Sequence, residues 1–133
     1  MKRIANLMAI MLVIEDEEPI QELIKEYLTP LKVEIHQAYS GEEGVEKYKE
    51  LMEKGKRPDL VIMDLKLPGI DGVEATKRIL KIDPNAKVYG FTAYFGTSWA
   101  KELEKAGAKG VIARPVGFDG FRDIVKELLK SSD

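Results

Sequence analysis

A doubly wound α/β domain is what the 133-residue sequence predicts, on three observations. Short apolar runs alternate with helix-period segments five times from end to end. Two of the runs, 9–14 and Leu60–Met63, are apolar throughout, as strands covered on both faces must be. No linker or low-complexity tract interrupts the alternation, so five βα units are expected to form one parallel sheet through right-handed crossovers, with helices on both faces.

The first strand is expected over 9–14. The helix after it, Glu18–Leu28, sets Ile20, Leu23, Ile24, Tyr27 and Leu28 at three- and four-residue spacing as its core face, and Thr29 and Pro30 should end it. A short strand over 33–37 follows, with alternation turning His36 away from the buried side. Ser40 and Glu43 form a capping-box signature ahead of Val45, Tyr48, Leu51 and Met52. After the 55–58 loop comes the buried strand Leu60–Met63, and Val73, Thr76, Ile79 and Leu80 give the third helix its apolar face. Asp83, Pro84 and Asn85 make the turn into a fourth strand over 87–91. The fourth helix carries Trp99, Leu103 and Ala106 on one side, spacing that assigns Trp99 to the core, and stops at Gly107. Gly110–Ala113 is the fifth strand. The last helix should take Asp119 as its N-cap and bury Phe121, Ile124, Val125, Leu128 and Leu129.

Composition narrows the function. A chain 44% hydrophobic and 33% charged has material for a core and is too apolar for disorder. The formal net charge of -2 gives no general attraction to nucleic acid or to anionic lipid. Without cysteine there is neither a disulfide nor a thiolate metal site. The longest apolar stretch, residues 7–14, is too short to span a bilayer, and a cytoplasmic protein is the default expectation.

Chemistry gathers at the ends of the strands. Glu15 and Asp16 follow the first, Asp64 follows the third, Thr92 closes the fourth, and Arg114 with Pro115 follows the fifth. If the first and third strands are neighbours, three carboxylates meet where they cannot all ionise without mutual repulsion, an arrangement that invites a divalent cation. Acidic residues also suit a helix start, at about 0.3–1 kcal/mol each, so Asp16, Glu17 and Glu18 would mean little alone. Asp64 is harder to explain that way, because a carboxylate closing a buried strand needs a partner and only Lys66 is close in sequence.

Four segments carry a family resemblance: VIEDEEP at 13–19, PDLVIMDLKLPGIDG at 58–72, FTAY at 91–94 and AGAKGVIARP at 106–115. In this order they resemble the receiver domain of two-component response regulators, over residues 8–129. The resemblance implies a flavodoxin-like sheet of order 2-1-3-4-5, which sets strands one and three at the switch point where such folds bind ligands. It implies Asp64 as phosphoacceptor, taking a phosphoryl group from a sensor histidine kinase or a histidine phosphotransfer protein. It implies Mg²⁺ as cofactor, held by Asp16, Asp64 and the backbone carbonyl of Lys66, with Glu15 acting mainly through a metal-bound water. Thr92 would donate a hydrogen bond to the phosphoryl oxygen and so bias the switch. A downstream protein would bind the face of the fourth helix and fifth strand, with no direct nucleic-acid or membrane contact.

Two positions depart from the family pattern. Arg114 stands where a Lys is usual, which keeps the charge and changes the geometry from a compact ammonium to a planar fork. Val111 stands where a mobile aromatic is common, and a β-branched side chain cannot rotate as that ring does. Tyr94, Phe95 and Trp99 are the candidates to carry output in its place. Pro115 follows a cis bond in many members, although X-Pro bonds are trans by default.

The expected organisation is therefore an N-terminal extension over 1–7, a receiver over 8–129 and a tail over 130–133, without an output domain. The leading expectation is phosphorylation at Asp64 that switches partner binding. The alternative is a pseudo-receiver, a constitutive interaction module, supported by Arg114 and Val111. A haloacid-dehalogenase-type phosphatase would want a second Asp where Lys66 stands, and a flavin binder would not line its first loop with Glu15, Asp16, Glu17 and Glu18. One histidine and no ATP-binding motif place the phosphoryl donor on another molecule.

Overall fold

The computed structural model describes residues 8–92, 98–113 and 117–130. Five parallel strands form one sheet in the order β2-β1-β3-β4-β5, with β1 Ile10–Ile14, β2 Glu34–Ala38, β3 Leu60–Met63, β4 Val88–Thr92 and β5 Gly110–Ala113. The helices are α1 Glu18–Leu28, α2 Gly41–Glu53, α3 Gly72–Ile82, α4 Ser98–Lys105 and α5 Gly117–Lys130. The predicted class and strand order are both borne out.

Alternation within each strand divides the core in two. Leu12 and Ile14 of β1 join Val61 and Met63 of β3 on one side of the sheet, under Tyr48 of α2, Ala75 and Ile79 of α3 and Leu103 of α4. Met11 and Val13 join Leu60 and Ile62 on the other, under Ile24 and Leu28 of α1 and Phe121 and Val125 of α5. Phe91 stacks on Phe121 at 4.2 Å and meets Phe118 edge-on at 5.8 Å, an aromatic seam between β4 and α5.

Several local expectations are corrected. Helix α1 does end at Leu28 with Thr29 as its C-cap, but a 3-10 turn, Thr29–Leu31, follows before the left-handed residue Lys32 at φ 55°. Ser40 caps α2 as expected, its Oγ accepting from the Glu43 N–H at 3.1 Å, yet the Glu43 carboxylate reaches the Tyr39 N–H instead of that of Ser40. Asp119 is not an N-cap. Helix α5 already begins at Gly117, which puts Asp119 in its first turn, bonded to Arg122 at 3.2 Å. Trp99 is not core either, since it is 46% exposed on α4 while Ala100 and Leu103 take the inward face. His36 lies beside Glu34 at 2.6 Å on the β2 edge, away from the strand ends that hold the site.

Leu23, assigned to the α1 core face, is 37% exposed, and Gln21 is fully buried in its stead. The true inward stripe is Gln21, Ile24 and Leu28, spaced three and four apart. Counting apolar letters cannot find a stripe that includes an amide.

Candidate phosphoacceptor and metal site

Parallel pairing fixes where the polar residues emerge. Register joins Ile14 to Met63 across β1 and β3, and the Asp64 N–H donates to the Ile14 carbonyl at 3.0 Å. The residues just past both strands therefore arrive side by side. Carboxylate oxygens of Glu15, Asp16 and Asp64 lie within 4.8 Å of one another. At that separation each charged pair would repel by roughly 3 kcal/mol at an effective dielectric near 20.

Each carboxylate is held differently. Glu15 is 2% exposed; its Oε2 accepts from the Glu17 N–H at 3.0 Å, and its own N–H donates to the Ala38 carbonyl at 3.0 Å. Asp16 is exposed at the mouth. Asp64 is half-buried, and its Oδ1 accepts from the Leu65 N–H at 2.8 Å, a local backbone partner not foreseen from Lys66 alone. Lys66 is exposed on the loop two residues beyond.

The β3–α3 loop is braced on both sides. Gly69 has φ +74°, and a Cβ there would meet the Glu42 carboxylate at 2.5 Å, while Glu42 Oε2 accepts from the Ile70 N–H at 3.1 Å. Gly72 at the start of α3 lies so close to the strand end that a Cβ would stand 2.2 Å from the Asp64 carbonyl oxygen. Asp71 caps that helix, its Oδ1 accepting from the Glu74 N–H at 2.9 Å.

Thr92 is fully buried at the end of β4 and lies opposite Ala113 of β5. Met63 of β3 pairs with Gly90 of β4, so Asp64 and Thr92 close adjacent strands. Arg114, Pro115, Tyr94 and Phe95 lie outside the described residues. The fold thus sets the three carboxylates together and Thr92 at the end of the neighbouring strand.

An all-oxygen set of grouped carboxylates, one buried and two reachable, suits a hard cation that keeps part of its water shell. Among the described residues no helix is long and apolar enough to cross a membrane.

Comparison with known proteins agrees with this geometry. The family model for the response regulator receiver domain matches residues 11–126. The chemotaxis protein CheY of Thermotoga maritima is 39% identical over 105 residues, 78% of this chain and 83% of that protein. Sporulation initiation phosphotransferase F of Bacillus subtilis is 35% identical over 118 residues, 89% of this chain and 91% of that protein. Among solved structures, the response regulator protein TrrA from Thermotoga maritima, in complex with Mg(2+)-BeF, has a TM-score of 0.76 at 35% identity, covering 91% of this chain and 99% of that one. The CheX-CheY-BeF3-Mg+2 complex from Borrelia burgdorferi gives 0.78 at 27% identity, covering 92% and 87%. The chain belongs to the response regulator receiver domain family.

Proposed function

We propose that this receiver accepts a phosphoryl group on Asp64 and thereby switches its affinity for a partner protein. The observation that carries the proposal is the convergence of Glu15, Asp16 and Asp64 within 4.8 Å at adjacent strand ends, with Thr92 closing the next strand. A carboxylate oxygen of Asp64 attacks the phosphorus of a phosphohistidine on a sensor kinase or phosphotransfer protein. The P–N bond breaks, its electron pair returns to the imidazole, which takes up a proton, and an acyl phosphate remains on Asp64.

Asp16, Asp64 and the Lys66 carbonyl would hold Mg²⁺, with Glu15 acting through a bound water; the metal would neutralise the carboxylates and let a phosphate approach. Thr92 donates its hydroxyl proton to a phosphoryl oxygen, a bond that exists only after transfer and so biases the conformation. Arg114 pairs with the phosphorylated Asp64 through one arm of its fork. The exposed Trp99 and the α4–β5 face receive the downstream partner, a protein and not nucleic acid or membrane, and the protein works in the cytoplasm.

Intact mass after incubation with acetyl phosphate tests the reading. The expected result is a single phosphoryl adduct with Mg²⁺ present and none after chelation. No adduct under conditions that modify a known receiver would favour a constitutive interaction module. For Arg114, the Arg114→Lys variant is expected to change the adduct's lifetime or its partner affinity by at least about threefold, because a point charge replaces a fork. Identical lifetime and affinity would remove Arg114 from the mechanism.

A further inference from the structure

Gln21 is the one charged or amide side chain of α1 that is fully buried, and its surroundings explain why. Its Nε2 donates to three carbonyls at once: Val13 at 3.1 Å, Glu15 at 3.0 Å and Ala38 at 2.9 Å. Two belong to the end of β1 and the loop beyond it, and the third to the end of β2. An NH₂ has two protons, so at least one is shared between acceptors. Its Oε1 is buried and has no hydrogen-bond partner. Burying an amide with one end unsatisfied is unfavourable, so a plain apolar residue in the stripe with Ile24 and Leu28 would serve packing better.

The acceptors indicate what the amide gains. The Ala38 carbonyl that receives Gln21 also receives the Glu15 N–H, and the Glu15 carbonyl is itself a Gln21 acceptor. Glu15 is thus gripped through both its backbone groups, immediately before Asp16. We propose that Gln21 is a positioning residue for the metal site, fixing the β1–α1 turn so that Glu15 and Asp16 stand at cation-binding distance before the cation arrives. The inference rests on the reading of these carboxylates as the Mg²⁺ site. Such a turn would otherwise have to be ordered by the ion, at a cost to affinity.

The test is Mg²⁺ titration by calorimetry on wild type, Gln21→Met and Ile24→Val. Methionine keeps the length and apolar stem and removes the donor, while Ile24→Val loosens the same helix face without touching the turn. Gln21→Met is expected to bind Mg²⁺ at least fivefold more weakly, and to recover wild-type acetyl-phosphate labelling when Mg²⁺ is raised to saturation. Ile24→Val should bind as wild type does. If wild type binds and Gln21→Met matches it within twofold, the role of Gln21 is overturned while the metal site stands; failure of wild type to bind Mg²⁺ overturns both. A measurement that needs no variant is the side-chain amide pair of Gln21 in ¹⁵N-labelled wild type. Its protons should exchange slowly with solvent in the metal-free protein and shift on adding Mg²⁺, and fast exchange or an unmoved signal would also sink the proposal.

Discussion

Asp64→Asn is expected to fold as the wild type does and to accept no phosphoryl group from acetyl phosphate or from a phosphohistidine. The amide has nearly the shape of the carboxylate, and its oxygen can still accept from the Leu65 N–H that now bonds Asp64 Oδ1 at 2.8 Å. The Asp64 N–H donates to Ile14 whatever the side chain is. Removing one of three charges within 4.8 Å also relieves repulsion in the metal-free protein, so the melting temperature should hold or rise. What is lost is the proposed nucleophile. An amide oxygen forms no stable acyl phosphate, and labelling should fall by at least about a thousandfold, equivalent to roughly 4 kcal/mol on the barrier. Intact mass with peptide mapping reads the result, and undiminished labelling of the variant would move the acceptor to another residue.

Asp83→Ala is expected to lower the melting temperature by about 10–15 °C, for about 3 kcal/mol lost in a domain of this size. Asp83 is 6% exposed at the end of α3 and is surrounded by donors. The Tyr48 hydroxyl donates to Oδ2 at 2.6 Å, Arg57 Nε to Oδ2 at 2.7 Å and Nη2 to Oδ1 at 3.3 Å, and the Asn85 N–H to Oδ1 at 3.0 Å. Alanine leaves the Tyr48 hydroxyl buried without its acceptor, which is the costly outcome. Burial alone would raise the Asp83 pKa, but the bonds from Tyr48 and Arg57 outweigh it and hold the carboxyl below its ordinary value. Burial and the Asp83 contact push the Tyr48 phenol up, so it stays a donor through the working range. A carboxyl whose pKa is depressed by folding stabilises the native state fully above its unfolded value and loses that contribution as the pH falls through the folded one. Wild type should accordingly lose stability faster than Asp83→Ala on acidification below the ordinary carboxylate range, and the two denaturation midpoints should converge. Parallel pH profiles would show that the carboxylate is not the source of the stability.

Strands were legible in the sequence because each is a short run whose letters nearly all belong in a core, and such runs have few other fates in an alternating chain. The carboxylates were legible because Glu15, Asp16 and Asp64 sit directly after those runs, so that adjacency alone brings them together. What escaped notice has no local signal. The Tyr48, Arg57 and Asp83 network joins residues 26 and 35 apart, and Asp83 in sequence is only a turn residue, which it also is. Periodicity selects Leu23 over Gln21 because it ranks hydrophobicity, while the end of β1 demands a donor. Spacing with Leu103 assigns Trp99 to the core, yet α4 is short and satisfies its inward face with Ala100 and Leu103.

Gly72 carries a consequence for motion. Helix α3 starts with its backbone in van der Waals contact with the peptide of Asp64, leaving space there for a hydrogen and nothing larger. A helix seated that tightly makes a poor lever, because any slide or roll would drag Asp64 out of line with the carboxylates beside it. It works as an anvil. If Asp64 takes the phosphoryl group as proposed, the displacement that follows is expected to spare α3, whose seat against Asp64 is set by a side chain that is missing.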